Sequence, residues 1–423
     1  MERFREKYMN NLNIIKKYNS IIRKNLQNLG KDTELYVNYP FCANRCKYCI
    51  YHIAKYTQRD SNLFLKYYNK EIDLYVKYLK NFKFQEIHIG GGTPNLALPE
   101  FLIEPLKKIV NFNKIKHFVV EIYPRHDLKK YLDDLKKYNV TKIILGVQAL
   151  NDEVLKNENR FVTVKTIIDN FKILSKSNLT WSVDLIYGLN SRGMEQNYLA
   201  ELKTILQYRP HGLHLYNIRG QQENSYYFKK KEESSKKTRI KFMDTFNFSD
   251  ISTVLKERGY ELVGDEWCLT SSKQNKKYAQ RDARYYGEQE TLGLGLWARS
   301  RNRRIKYRNE KKLQNYIKLL DKNLFPIEKF FDYKDKYFLV ANILLSLNQS
   351  SQFDLKEIFS IPNVSMREKK EVSLFIFYLR NKGVNFDVVD SKFILPRHQY
   401  TKGISLSEKY LKEKSGYEYF YKN

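Results

Sequence analysis

The chain has 423 residues, of which 42% are hydrophobic and only four are cysteine. That length leaves room for two to three domains, one of them with a large core. A mean hydropathy of −0.62 and the lack of a long apolar run argue against a membrane span. The formal net charge of +29 is spread over lysines in nearly every segment, so we do not expect nucleic acid to be the partner.

The first 31 residues form a charged, amphipathic segment that predicts a helical extension. They lack the apolar stretch of a secretory signal, and Glu2 and Glu6 argue against an organellar presequence. We therefore expect a cytoplasmic protein whose thiols are reduced.

From residue 35 onward, short β-rich runs alternate with longer helical patterns. The predicted strands are Leu35–Tyr39, Glu86–Ile89, Phe118–Ile122, Lys142–Leu145, Trp181–Ile186 and Gly212–Tyr216. The predicted helices span residues 63–81, 127–138, 151–156, 164–176 and 195–207. This alternation predicts an α/β fold with a parallel sheet, arranged as a partial (β/α)6 TIM-like barrel. In such a barrel, functional residues lie at the carboxyl ends of the strands.

After residue 219 the alternation breaks. Residues 221–241 predict a polar excursion, 242–259 a helix and 260–263 a strand, while Leu292–Ala298 predicts a close-packed apolar turn. The Arg-rich run from Arg299 to Arg304 suggests a solvated face or loop.

The last hundred residues predict helices over 337–347 and 371–382, followed by strands over 386–389 and 393–395. This is the pattern of a winged-helix-like module. We therefore divide the chain into an extension (1–33), a barrel (34–220), a flanking substrate-site region (221–309) and a helix-rich C-terminal module (310–423).

Three of the four cysteines, Cys42, Cys46 and Cys49, fall within eight residues in C-x3-C-x2-C spacing. Three thiolates on one loop can bind three irons of a [4Fe–4S] cluster and leave the fourth iron open to a ligand. A structural zinc site is the alternative, but it needs a fourth ligand, and His52 is the only candidate nearby. A disulfide framework is not expected in a chain of this length with so few cysteines.

Polar and glycine residues follow the predicted strands on the edge where a barrel places its site. They are Gly90–Pro94 after the second strand, Glu121, Gln148, Asp184, and Tyr216 with Asn217. His88 and His214 lie inside strands, so core histidines are the default interpretation and proton handling the alternative. Cys268 is expected to be a buried thiol or, alternatively, a substrate-site residue.

These motifs together resemble the radical S-adenosylmethionine (SAM) superfamily. Within it the chain is similar to the branch of the oxygen-independent coproporphyrinogen III oxidase, which also contains haem chaperone-like proteins and two-SAM methyltransferases and cyclopropanases. The matching motifs are Tyr36-x3-Pro40-Phe41-Cys42-x3-Cys46-x-Tyr48-Cys49, Gly90–Pro94, Glu121–Arg125, Gly146–Gln148, Asn159-Arg160, Asp184–Leu189 and Leu292–Gly295.

The resemblance implies a [4Fe–4S] cluster on the three cysteines and SAM beside it. It assigns Glu121 and Tyr48 to the SAM on the cluster, and Gln148, Arg160 and Asp184 to a second SAM. The remaining implied SAM-binding residues are Tyr36, Gly91, Gly92, Thr93, Arg219 and Arg299. Glu121 and Tyr36 are the candidates for a catalytic role, and the two arginines Arg219 and Arg299 could instead bind an anionic substrate.

One departure from the sequence pattern of this branch decides which reaction we expect. The decarboxylating oxidase carries a further cysteine two residues after the third cluster ligand, where this chain has Tyr51. We therefore expect a two-SAM methyltransferase or cyclopropanase acting on an unsaturated or aromatic small molecule, with haem or porphyrin as one option. The alternatives are a coproporphyrinogen-type decarboxylase and a haem chaperone without turnover. A flavodoxin or ferredoxin is the expected electron donor.

Overall fold

The computed structural model describes residues 2–27, 29–30, 33–49, 51–187, 189, 198–217, 248–263, 266–285, 290–302, 305–332, 337–350, 352–360 and 364–415. Predictions for residues 190–197, for Arg219 and for the excursion 221–241 lie outside these ranges. None of the helices in the described part of the chain is long and apolar enough to cross a membrane.

A mixed sheet of twelve strands dominates the structure. Its centre is parallel and consists of β1 (Glu34–Tyr39), β4 (Glu86–Gly91), β5 (His117–Ile122), β6 (Lys142–Gln148), β7 (Thr180–Tyr187) and β8 (Gly212–Asn217). The strands β2 (Phe41–Cys42) and β3 (Ala54–Lys55) form a separate parallel pair. All six predicted strands are thus confirmed, in the predicted parallel order.

Six further strands extend both edges. On one side, β8 pairs antiparallel with β10 (Glu266–Leu269), and β10 pairs with β9 (Tyr260–Val263). On the other, β11 (Thr291–Gly295) runs parallel to β1 and is followed by antiparallel β12 (Arg299–Arg301), β13 (Ile305–Asn309) and β14 (Ile327–Asp332). Because the strand order ends at β14 and β9, the described strands form a partial barrel.

The helices follow the chain in order. They are α1 (Glu2–Leu26), α2 (Gln58–Leu79), α3 (Pro99–Leu102), α4 (Leu128–Leu135), α5 (Asp152–Asn157), α6 (Val164–Ser175), α7 (Tyr198–Leu206), α8 (Phe248–Glu257), α9 (Lys273–Tyr285), α10 (Leu313–Leu320), α11 (Phe338–Ser350), α12 (Leu355–Ser360), α13 (Met366–Asn381) and α14 (Tyr400–Ser415).

Alternation along the strands separates an apolar face from a polar one. Val37, Ile89, Val120, Leu145 and Val183 are all buried in the main hydrophobic core. The residues between them are largely polar, and the register aligns them into rows that cross the sheet. The polar face therefore collects functional side chains from many strands.

A second hydrophobic core lies in the C-terminal part, between Tyr337 and Leu411. It is built from α11, α13 and α14 with a three-stranded sheet of β15 (Gln352–Asp354), β17 (Lys392–Ile394) and β16 (Asp387–Val389). Helices with a short ribbon agree with the predicted helix-rich module, whereas the exact domain boundaries stay predictions.

Two local predictions were wrong. The segment predicted as a turn is mostly strand β11, because its glycines alternate with buried Leu292 and Leu294 and give a strand period. A side chain at Gly293 would collide with the carbonyl oxygen of Arg299. Of the two alternatives for Arg299–Arg301, a solvated face or a loop, the loop is wrong: the run is strand β12, in which Ser300 is buried against Gly293 and both arginines stay partly exposed.

Candidate active site

The cysteine loop begins at the end of β2 and is fixed by backbone hydrogen bonds. The amide of Tyr56 donates to the Cys42 carbonyl at 2.9 Å, and the amide of Cys49 donates to the Cys46 carbonyl at 3.1 Å. The Thr93 hydroxyl donates to Cys42 Sγ at 3.3 Å. Burial raises the pKa of the Cys42 thiol to about 11, so a bound metal would be needed to hold it as thiolate at neutral pH.

The donor set fits a cluster better than a single ion. Within the described ranges, no three His, Cys, Asp or Glu side chains lie close enough together to bind one metal ion. A zinc ion needs such convergence, because its sulfur ligands all lie about 2.3 Å from one centre. A four-iron cluster instead takes each thiolate on a different iron, which spreads the sulfurs apart.

His52, the fourth ligand of the zinc alternative, is engaged elsewhere. Its Nε2 lies 3.3 Å from the carbonyl oxygen of Lys311, and its ring centroid lies 5.1 Å from that of Trp297. The zinc alternative therefore lacks a fourth ligand on this loop.

The Gly-rich turn after β4 packs directly on the cysteine strand. The amides of Gly92 and Thr93 donate to the carbonyls of Tyr39 and Phe41 at 2.7 and 2.8 Å. A Cβ at Gly92 would lie 2.6 Å from the Phe41 oxygen, and Gly91 has a φ of 111°. Glycine is required here by the chain's own packing, in addition to the SAM contact implied by the sequence.

Glu121 is held in place by a histidine from the neighbouring strand. His88 Nε2 lies 2.7 Å from Glu121 Oε1, and His88 Nδ1 lies 3.9 Å from Glu34 Oε1. The Glu121 side chain is 36% exposed, so it reaches the open interior of the partial barrel. Tyr36 packs beside this pair, with its ring 5.5 Å from the His88 ring.

Arg160 binds the cysteine loop to β6. Its Nη1 donates to the Tyr48 hydroxyl at 3.2 Å and lies 3.8 Å from Cys46 Sγ, while its Nη2 donates to the Gly146 carbonyl. The guanidinium also stacks on Tyr123, with its centre 4.2 Å from the ring centroid. Arg160 is buried and oriented toward the cysteines, which favours a role at the cluster over one at a second SAM.

Gln148 ends β6 with an unusual backbone. Its φ is 73°, and the register with β7 shifts between Gly146 and Gln148. Such an irregularity re-aims a side chain at a strand end. The Gln148 amide lies near Gly146, where a Cβ would approach its Nε2 to 3.2 Å.

A buried charged cluster extends from Asp184 into the sheet. Asp184 Oδ1 lies 2.9 Å from His214 Nδ1, and His214 Nε2 lies 3.7 Å from Glu266 Oε2. Lys142 completes the set, with Nζ 2.8 Å from Glu266 Oε2. Sequence reasoning did not single out Lys142 and included Glu266 only in the segment around Cys268; it missed the pairing of the two, whose signal is a charged residue at a polar-face position of a strand.

Tyr51 lies where these groups meet. Its hydroxyl interacts electrostatically with Glu121, Cys49, Asp184 and Arg299. Burial of the hydroxyl and the charges of Glu121, Cys49 and Asp184 raise the pKa of Tyr51 to about 12, and Arg299 partly offsets them; 60% of the residue as a whole is exposed.

Arg299 lies beside Trp297, with its guanidinium centre 5.4 Å from the indole ring and that of Arg308 at 5.3 Å.

Taken together, these contacts bring the three cysteines, Thr93, Tyr48 and Arg160 into one group. Around its open side lie Tyr36, Glu121, Asp184 and Arg299.

Cys268 lies outside this group. It is buried beside Asn275, as expected of an ordinary core thiol.

The geometry can now be compared with known proteins. The family model described as the Radical SAM superfamily matches residues 36–201, which include the cysteine loop and the strands up to β7. Residues 36–201 of this chain thus form a radical SAM domain. A [4Fe–4S] cluster and SAM are the cofactors that such a domain implies.

Relatives place the radical SAM chain in one branch. It is 23% identical to an oxygen-independent coproporphyrinogen III oxidase of Helicobacter pylori, over 77% of this chain and 74% of that protein. It is also 23% identical to the heme chaperone HemW of Buchnera aphidicola, over 82% of this chain and 92% of that protein. The branch inferred from the sequence, that of HemN and HemW, is thereby confirmed.

A solved structure supports the fold. Coproporphyrinogen III oxidase (HemN) from Escherichia coli superposes with a TM-score of 0.72 at 19% identity, covering 91% of this chain and 92% of that one. The radical SAM fold thus extends over most of the chain, beyond the matched residues 36–201.

Proposed function

We propose that this chain is a radical SAM enzyme that binds a [4Fe–4S] cluster through Cys42, Cys46 and Cys49 and acts on a tetrapyrrole. The observation that carries the proposal is the cysteine loop itself, fixed by β2 and contacted by Thr93 and Arg160. When bound, the cluster would supply the one electron that cleaves SAM into methionine and a 5′-deoxyadenosyl radical. The protein's task is to hold the reactants in place and exclude water.

The residues around the loop suit that task. Thr93 and Arg160 direct a hydroxyl and a guanidinium at two of the three sulfurs, and both contacts stabilise thiolate over thiol. Glu121, oriented by His88, offers a carboxylate to an ammonium or hydroxyl group of a ligand. The Gly90–Gly92 turn packs tightly against this carboxylate and the cysteine strand, because a Cβ at Gly90 would lie 2.6 Å from Glu121 Oε1 and one at Gly92 would lie 2.6 Å from the Phe41 oxygen.

The tetrapyrrole class is supported by the relatives. The names of both, coproporphyrinogen III oxidase and heme chaperone, refer to tetrapyrroles. Arg299, at the open side of the site, supplies a cation for the carboxylates that such molecules carry.

Tyr51 favours a second candidate, a haem-binding chaperone without turnover. The cysteine of the decarboxylating oxidase is absent at this position, and the likeness to the chaperone covers 92% of that protein. The two-SAM methyl transfer or cyclopropanation expected from the sequence has less support. Arg160, one of its three assigned residues, is engaged with the cysteine loop.

Anaerobic cluster reconstitution, followed by SAM and dithionite, tests the proposal. We expect 5′-deoxyadenosine from the wild-type chain and none from Cys46→Ala, while Cys268→Ala, which removes a cysteine outside the loop, retains it. The absence of 5′-deoxyadenosine from fully cluster-loaded protein, together with one haem bound per chain, would favour the chaperone. Formation of S-adenosylhomocysteine in the presence of a tetrapyrrole would instead support the methyl-transfer hypothesis.

The electron donor is part of the same proposal. We expect a reduced flavodoxin or ferredoxin to replace dithionite in this assay, as the one-electron chemistry requires. Failure of both proteins to support 5′-deoxyadenosine formation, with dithionite active, would overturn this part alone.

A further inference from the structure

Asp184, His214 and Glu266 occupy one row across three neighbouring strands. Asp184 of β7 is in register with His214 of β8, and His214 is in register with Glu266 of β10. Side chains in one row point to the same face of a sheet, so the imidazole lies between two carboxylates. Lys142 comes from β6 and reaches the far carboxylate, Glu266.

Exposure decreases steadily along this row. The Asp184 side chain is 19% exposed and that of His214 is 7% exposed, whereas those of Glu266 and Lys142 are completely buried. Asp184 is thus the most exposed member of the row and the one placed to contact a ligand. The others form its buried support.

The charges of the four groups balance only when His214 is protonated. Glu266 is compensated by Lys142 and also accepts hydrogen bonds from Ser182 and Asn275. The imidazolium of His214 is then the counter-charge for Asp184. Burial lowers the pKa of His214, but Glu266 and Asp184 outweigh burial and raise it to about 9.

The same accounting applies to Asp184. Burial, together with Glu121 and Glu266, raises the pKa of Asp184 above its ordinary value, although the hydrogen bond and charge of His214 lower it. The other titratable groups that face these two residues are Glu266 on β10, Lys142 on β6, Glu121 on β5 and the Tyr51 hydroxyl. Of these six groups, only Lys142 and His214 are positive. Without the imidazolium, the remaining acids would favour protonation of Asp184.

We propose that His214 is a positioning residue that fixes Asp184 as an oriented carboxylate for a cationic or hydroxyl group of SAM, and that Glu266 and Lys142 hold His214 for this task. The proposal rests on the proposed function, because it takes SAM as the ligand. It goes beyond the sequence, in which His214 has no motif and core packing is its default role.

SAM binding to the cluster-loaded protein, measured by equilibrium dialysis between pH 6 and 9, tests this role. His214→Asn retains an amide near the Nδ1 position but loses the positive charge. We expect its affinity for SAM to fall about tenfold at pH 6.5 and to recover toward pH 9, as Asp184 ionises, whereas the wild type changes little. Asp184→Asn should be weak at every pH, and His117→Asn, which removes another buried barrel histidine, should behave like the wild type.

The outcomes separate the two hypotheses. If the wild type binds no SAM, the proposed function fails. If it binds SAM but His214→Asn is unchanged, or is weakened equally at every pH, a positioning role is overturned. Unchanged binding by Asp184→Asn would also overturn it.

A measurement on the wild-type protein avoids reliance on a folded variant. The chain has seven histidines, so 13C-labelled imidazole signals can be followed individually by NMR. We expect the His214 signal to remain that of an imidazolium up to about pH 8. Titration near the ordinary value of 6.5 would overturn the proposal without involving SAM.

Discussion

Replacing Lys142 by methionine tests whether the buried ion pair stabilises the barrel. Both side chains of the Lys142–Glu266 pair are fully buried, and Nζ lies 2.8 Å from Oε2. Removing one partner of such a pair leaves an uncompensated buried charge, which costs about 3–5 kcal/mol. Lys142→Met should lower the free energy of unfolding by about 3 kcal/mol, at the lower end of this range, because Glu266 keeps its contacts with Ser182, Asn275 and His214.

Glu266→Gln should lower the free energy of unfolding further, by about 5 kcal/mol, because Lys142 and protonated His214 then lose the carboxylate that they share. The double variant removes both charges, so it should cost less than the sum of the two single variants by at least about 2 kcal/mol. Lys136→Met serves as the control, because its pair with Asp133 is slightly shorter, at 2.6 Å, but exposed. No measurable change is expected there.

Acidic pH should remove the stabilisation that the Lys142–Glu266 pair contributes, because Glu266 then becomes protonated. Burial alone would raise the pKa of Glu266, but Lys142 and His214 hold it at about 2, below the ordinary 4.5. A depressed carboxyl pKa stabilises the fold above pH 4.5, and that contribution is lost as the pH falls through 2. A shift of this size corresponds to about 3 kcal/mol, the same magnitude that we expect for Lys142→Met. Glu266→Gln should therefore show a weaker loss of stability over this range.

Tryptophan fluorescence during urea unfolding is a suitable assay. The three tryptophans, Trp181, Trp267 and Trp297, all lie in or beside the large sheet, so the signal reports on the barrel rather than the C-terminal core. A cost below about 1 kcal/mol for Lys142→Met, or strictly additive variants, would refute the reasoning, since a buried pair with well-formed geometry cannot be so weakly coupled.

Three further predictions use other parts of the molecule. Burial raises the pKa of Glu71 to about 7, so wild-type stability should fall by up to about 3 kcal/mol as the pH rises from 4.5 through 7. Glu71→Gln should abolish that slope in urea titrations, and an unchanged slope would contradict the assignment. Arg160→Lys should lower the iron content per chain after reconstitution, because lysine cannot contact Cys46, Tyr48 and Gly146 together, and full loading would argue against this role. Gly92→Ala places a methyl group 2.6 Å from the Phe41 oxygen. It should lower the free energy of unfolding by about 1–3 kcal/mol and reduce cluster loading. Wild-type stability and loading would show that the turn can accommodate the methyl group.

Much of the fold follows from local patterns. The six central strands were predictable because their apolar residues recur with period two and the segments between them recur with helical period. The edge strands β10 and β12 were not, because Glu266 and Arg299–Arg301 are charged and a charged run suggests solvent. Only partners on other strands explain why these charged residues lie in strands: Lys142 on β6 pairs with Glu266, and Gly293 on β11 accommodates the backbone of Arg299.

The sequence by itself determined the cysteine loop, the Gly-rich turn and the parallel order of the central strands, because each depends on residues close together along the chain. Tertiary structure alone decided how the site is assembled. It turned Arg160 toward Cys46, paired His88 with Glu121, and joined Asp184 to Lys142 through His214 and Glu266. Those partners lie tens of residues or more apart, and strand register, which depends on the packing of the whole sheet, brings them together.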